Sequence, residues 1–224
     1  MLYGVSVGCG DPMDMTLRAV RTIEACKTVF VPKTDGGRTL ALDIASQAAD
    51  LSGKKIVTLE MPMTRDKAAL DTAHEAAAET VCKALENGDA AMLCLGDVSI
   101  YTTFAYIAAR VEKRGYGVKW LPGVSSVTAA ACASGVPLVL GLQPLHILPY
   151  GCEGFSEKLS LNGTKVIMKS GKKAPLLISE LRERGLLKKT IAVENAGLEN
   201  ECISVGEDIP ENVGYFTVFI IPAE

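Results

Sequence analysis

Two rhythms of apolar and polar positions alternate along the first half of the chain. Residues 2–7 form a short apolar run ending in glycine, which predicts a buried strand. Residues 16–27 follow with helical periodicity, Leu17, Val20, Ile23 and Ala25 grouping on one side. The pattern then repeats. Residues 28–31 predict a strand stopped by Pro32, residues 39–51 a helix stopped near Gly53, and residues 55–59 a strand. Residues 66–86 predict a long alanine-rich helix closed by Asn87-Gly88. Residues 90–95 predict a buried strand and residues 100–114 a helix ended by Gly115. Strands alternating with helices imply an α/β class with a mostly parallel sheet covered on both faces.

Leu121-Pro122-Gly123 interrupts this rhythm. We place a domain boundary there, giving α/β domains at residues 1–121 and 122–224. The second domain predicts strands at 145–148, 165–168, 190–194, 202–205 and 215–220, with helices at 125–134 and 174–184. No helix separates the last two strands, so they are expected to pair antiparallel.

Composition narrows the function classes. A net charge of −3 argues against a nucleic-acid partner, while still allowing a local basic cluster. No apolar run reaches ~18 residues, so no membrane span is expected. The first residues lack the basic-then-apolar order of a signal peptide. The seven cysteines (Cys9, Cys26, Cys82, Cys94, Cys132, Cys152 and Cys202) are scattered and never spaced C-x-x-C. They are expected to be free, buried thiols of a cytoplasmic protein, and no metal site is expected.

Three segments carry candidate chemistry. The first is Gly4-Val-Ser-Val-Gly8-Cys9-Gly10-Asp11-Pro12, then Thr16-Leu17. It reads as a strand, a glycine turn and a helix start, where a ligand can approach the backbone closely. It lacks the third glycine of a dinucleotide fingerprint, and Asp11 sits where a pyrophosphate would lie. An ordinary strand-to-helix turn is the alternative. The second is Leu95-Gly96-Asp97-Val98-Ser99-Ile100-Tyr101, at the carboxyl end of a buried strand. Asp97 there could accept hydrogen bonds from an amine or ribose hydroxyl, or it could cap the next helix, a role that suits Ser99 better. The third is Leu121-Pro122-Gly123-Val124-Ser125-Ser126, opening a helix whose first turn could bind a carboxylate or be simply capped.

In this order and spacing the three segments resemble the tetrapyrrole (corrin/porphyrin) methyltransferase family across essentially the whole chain. That family shows G-x-G-P-G-D-P followed by T-L, then G-D-P-x-x-Y, then P-G-x-[ST]-[SA]. Cys9 and Val98 stand where proline is usual. Further segments, Met61-Pro62-Met63-Thr64-Arg65-Asp66-Lys67, Tyr101-Thr102-Thr103-Phe104-Ala105-Tyr106 and Gly135-Val136-Pro137-Leu138, are most similar to the members that methylate carbon 20 of precorrin-2 or cobalt-precorrin-2.

The resemblance implies two α/β domains with S-adenosylmethionine in the cleft between them. Residues 1–121 would supply the tetrapyrrole side, and residues 122–224 would complete the cofactor site. Carried over by motif, the cofactor positions are Cys9, Leu95, Gly96, Asp97, Ile100, Ser125, Ser126, Met168 and Ala196. The resemblance also implies a homodimer.

A tetrapyrrole bears many carboxylates, so basic groups are expected near it. Lys33, Arg38 and Arg65 are the chosen candidates, with Lys67, Lys169, Lys172 and Lys173 behind them and Tyr101 as a polar contact. Surface charge is the alternative for each. No catalytic base is assigned. His74, on the long helix, is expected at the surface, and His146, in an apolar strand, in the core. Rival readings are a methyltransferase for another tetrapyrrole carbon, a nucleotide-dependent oxidoreductase and a non-enzymatic ligand-binding module.

Overall fold

The structure is a computed structural model describing residues 1–33, 39–64 and 66–223. Internal packing divides the chain into two compact units, Met1–Ser125 and Ser126–Glu224.

The first unit is a five-stranded parallel sheet between two helical layers. Its strands are β1 (Leu2–Ser6), β2 (Thr28–Lys33), β3 (Lys55–Glu60), β4 (Ala90–Cys94) and β5 (Val118–Leu121), in the spatial order β3-β2-β4-β1-β5. The period-two side-chain alternation of a strand separates two cores. Ala90, Met92 and Cys94 of β4 and Phe30 of β2 face α3 (Lys67–Leu85) and α4 (Phe104–Lys113). Ala91 and Leu93 of β4, with Val29 and Val31 of β2, face α1 (Leu17–Ala25) and α2 (Leu40–Ala48). Strands buried on both faces explain why these segments read as apolar runs.

Four expectations change in this unit. Strand β2 continues through Pro32 to Lys33. The Lys27 and Lys33 carbonyls accept from Lys55 and Met61 N–H, so odd-numbered residues turn toward β3. Pro32 turns the other way, where pairing with β4 has ended at Phe30, and no ladder donor is lost. Strand β5 went unpredicted because its central Lys119 and Trp120 are exposed. Helix α4 begins at Phe104 rather than at residue 100, since Tyr101 at φ 50° cannot continue a right-handed helix. Neither Asp97 nor Ser99 is therefore a helix cap. His74 is buried, its ring stacked on Tyr106 at 4.8 Å.

The second unit is a mixed sheet of β6 (Leu145–Pro149), β7 (Thr164–Met168), β8 (Ile191–Glu194), β9 (Cys202–Val205) and β10 (Thr217–Ile221). The order is β6-β7-β10-β8-β9, with only β6 and β7 parallel. Helices α5 (Ser126–Ser134), α6 (Phe155–Lys158) and α7 (Ala174–Glu183) cover it. The last two strands do not pair with each other. All five residues of β10 are buried and the strand takes the centre, while mostly exposed β9 takes the edge beside β8. His146 is only half-buried, its Nε2 lying 2.8 Å from the Asn162 carbonyl, so it is not a core residue.

All seven cysteines are free, but only Cys26, Cys82 and Cys94 are buried. Cys9 and Cys152 are half-buried, and Cys132 and Cys202 are exposed.

Candidate active site

The topology of the first unit selects one place on it. From β1 the chain passes through α1 on one face to β2, and from β4 it passes through α4 on the other face to β5. The exits of the neighbouring strands β1 and β4 therefore diverge. A crevice opens at their carboxyl ends, where ligands of open α/β sheets bind.

Glycines bring the two exits together. The Gly96 N–H donates to the Gly8 carbonyl at 2.7 Å and the Val7 N–H to the Cys94 carbonyl at 2.9 Å. Gly8 and Gly96 have φ values of 75° and 72°, a region that side chains disfavour. Asp11 accepts the Met13 N–H of its own turn, and Thr16 caps α1 by accepting from Ala19 N–H.

Asp97 ties the exit of β4 to that of β5. One oxygen accepts the Ser99 N–H at 2.8 Å and the Ser99 hydroxyl; the other accepts the Gly123 N–H at 2.8 Å. Partial burial acts to raise its pKa, but these bonds from Ser99 and Gly123 outweigh it and hold the carboxyl below its ordinary value. Asp97 is consequently a fixed negative charge at neutral pH. Beside it Leu95 is exposed, Gly96 buried and Ile100 half-buried.

Cys9 lies across from these residues, its thiol 3.6 Å from the Val124 carbonyl. Burial, and then Asp14, push the thiol up to about 12, so it stays protonated and is no nucleophile at neutral pH. Ser125 is buried at the end of this unit. Sequence reasoning passed over Ser6, the fully buried last residue of β1. Its hydroxyl donates to the Leu121 carbonyl and accepts from the Val98 N–H. The available signal was a lone polar residue inside an apolar run.

Of the substrate candidates, Lys33 ends β2 and pairs with Glu60 at 3.9 Å. Tyr101 is 44% exposed in the loop after β4. Arg38 and Arg65 lie outside the described residues.

In the second unit Ser126 opens α5, Met168 ends β7 and Ala196 follows β8, where it is buried. Among the described residues only three non-glycine positions have positive φ: Tyr101, Lys169 and Asn195. Each directly follows or precedes a position singled out above, namely Ile100, Met168 and Ala196. Asparagine tolerates this region, but tyrosine and lysine are strained there by about 1–3 kcal/mol, and such strain concentrates at binding loops. The described residues contain no cluster of three His, Cys, Asp or Glu placed to hold a metal ion, and no helix long and apolar enough to cross a membrane.

The chain is 34% identical over 92% of its length to a Methanocaldococcus jannaschii protein named "probable cobalt-precorrin-2 C(20)-methyltransferase", of which it covers 87%. It is 26% identical over 99% of its length to a Sinorhizobium precorrin-2 C(20)-methyltransferase, covering 94% of that protein. The solved structure of a Thermus thermophilus uroporphyrin-III C-methyltransferase, complexed with S-adenosylhomocysteine, superposes with a TM-score of 0.68 at 19% identity, covering 98% of this chain and 95% of that one. The family model for tetrapyrrole (corrin/porphyrin) methylases matches residues 1–207, and the chain belongs to that family.

Proposed function

We propose that the protein is an S-adenosylmethionine-dependent methyltransferase of cobalamin biosynthesis that methylates carbon 20 of precorrin-2 or cobalt-precorrin-2. The observation that carries this reading is the junction at the carboxyl end of the first sheet. There the exits of β1, β4 and β5 are tied together around an ionised Asp97.

The residues present fit the cofactor. Backbone at Gly8 and Gly96 lacks side chains where a ligand must come close, and Asp97 offers a fixed charge to an amine or hydroxyl. Cys9, Leu95, Gly96, Asp97, Ile100 and Ser125 of the first unit are the proposed contacts, with Ser126, Met168 and Ala196 of the second. When bound, S-adenosylmethionine supplies an electrophilic methyl group on a sulfonium. The protein's own task is to hold donor and acceptor in line and to exclude water, which needs no covalent protein intermediate. Lys33, Arg38 and Arg65 are proposed to meet the carboxylates of the tetrapyrrole, and Tyr101 to make a polar contact. The resemblance further suggests a cytoplasmic homodimer, and equilibrium sedimentation tests the assembly.

The deciding experiment is mass spectrometry of tetrapyrrole products after incubation with methyl-labelled S-adenosylmethionine. One labelled methyl at carbon 20 is expected. Label at another carbon favours the neighbouring methyltransferase activity, and cofactor binding without transfer favours a binding module. Binding of NADH in place of S-adenosylmethionine would revive the oxidoreductase reading.

A further inference from the structure

Ser6 lies in register with Cys94 of β4, and its neighbour Val5 lies in register with Leu121 at the end of β5. A hydroxyl inside a buried parallel strand is unfavourable unless its hydrogen bonds are made. Here both are made, and both leave the strand. The Ser6 hydroxyl donates to the Leu121 carbonyl at 2.7 Å and accepts the Val98 N–H at 2.8 Å. Val98 directly follows Asp97 and is itself buried. Gly123 packs so closely on this serine that a Cβ on it would fall 2.5 Å from Ser6 Cβ. Residue 123 must therefore be glycine beside this serine, and the serine hydroxyl satisfies two backbone groups of the neighbouring loops.

We propose that Ser6 is a positioning residue for the cofactor loops, fixing the distance between the Gly96-Asp97 and Pro122-Gly123 turns without touching the ligand. This rests on the methyltransferase reading above. Residue 98 is where the family pattern carries proline, which has no N–H to give. The Ser6–Val98 bond exists because this chain departs from that pattern, so a hydrogen bond does here what a ring would do by stiffening the loop. Alanine at residue 6 deprives the buried Val98 N–H of its acceptor. Proline at residue 98 deletes that donor and stiffens the same loop.

The test is calorimetric titration of S-adenosylhomocysteine into wild type, Ser6→Ala, Ser6→Ala/Val98→Pro and Val81→Ala. Val81 is a fully buried residue of α3, outside these loops, and its truncation controls for lost stability. Ser6→Ala should weaken binding about tenfold or more. The double variant should recover part of that affinity, and Val81→Ala should bind as wild type does while melting earlier. Unchanged affinity in Ser6→Ala, or a double variant weaker than Ser6→Ala, overturns the inference and leaves the methyltransferase reading standing. Wild type that binds no S-adenosylhomocysteine overturns that reading instead. If Ser6→Ala does not fold, the double variant carries the test, and its failure to fold or bind overturns the inference.

Discussion

The Asp97 carboxylate accepts the Gly123 backbone N–H at 2.8 Å, joining loops that are 26 residues apart in sequence. Its other oxygen accepts from Ser99, so both oxygens face N–H donors. Asparagine cannot replace it, because an amide nitrogen would then confront one of those donors. Asp97→Asn and Asp97→Ala should both weaken S-adenosylhomocysteine binding, by roughly 1.5–3 kcal/mol or about tenfold to a hundredfold. Titration calorimetry on folded variants checks this, and wild-type affinity in Asp97→Asn would reduce the contact to an incidental one. Because the folded carboxyl sits below its ordinary value of 3.8, its stabilising contribution is complete above that value. The contribution is lost as pH falls through the lowered folded value.

Gly123 does not need glycine for its backbone conformation, yet it has no room for a methyl group. Gly123→Ala should overpack against Ser6, costing about 1–3 kcal/mol. Thermal unfolding should show a melting temperature lower by several degrees, together with weaker cofactor binding. A variant as stable as wild type would mean that the β5 exit shifts freely.

His74 is buried against Tyr106, and burial, then the charge of Arg110, lower its pKa from 6.5. The unfolded chain therefore takes up a proton first as pH falls. His74 contributes full stability above about 6.5 and loses it as pH drops from there through the folded value. Melting curves of wild type and His74→Gln from pH 8 to pH 5, a window set about that ordinary value, should diverge. The wild type should lose more over the acidic part, and parallel curves would remove His74 from the pH response.

Lys33 ends β2 on the sheet edge where the β1 and β4 loops emerge. Lys33→Glu would set two carboxylates side by side with Glu60 and repel an acidic tetrapyrrole. The KM for tetrapyrrole should rise while S-adenosylhomocysteine affinity stays unchanged. The difference should shrink with salt, since exposed charges are screened beyond ~10 Å at 0.1 M. Arg38→Glu and Arg65→Glu extend the same kinetics to the two candidates outside the described residues. An unaffected KM in all three variants would place the tetrapyrrole against other groups.

Much of the fold was legible in the sequence because burial on both faces leaves a continuous apolar run. Strands β1, β2, β4 and β10 carry that signal most plainly, and β5, with its exposed Lys119 and Trp120, lacks it and was not predicted. Turn chemistry likewise exposed the glycine loops at Gly8, Gly96 and Gly123, because positive φ or close packing requires a residue without a side chain. Three further matters were settled only in three dimensions. Strand order was one, since the pairing partners of β9 and β10 depend on which strand the rest of the sheet can bury. The surroundings of His74 were another, because helical periodicity places a residue on a face without saying what covers that face. The roles of Asp97 and Ser6 were the third. A carboxylate after a strand reads as a cap, and a serine within one reads as a blemish, until the sheet brings residues 26 positions apart in one case and 115 in the other within hydrogen-bond distance. Sequence determined which groups were available at the ends of these strands; the order in which the strands lie decided which of them meet.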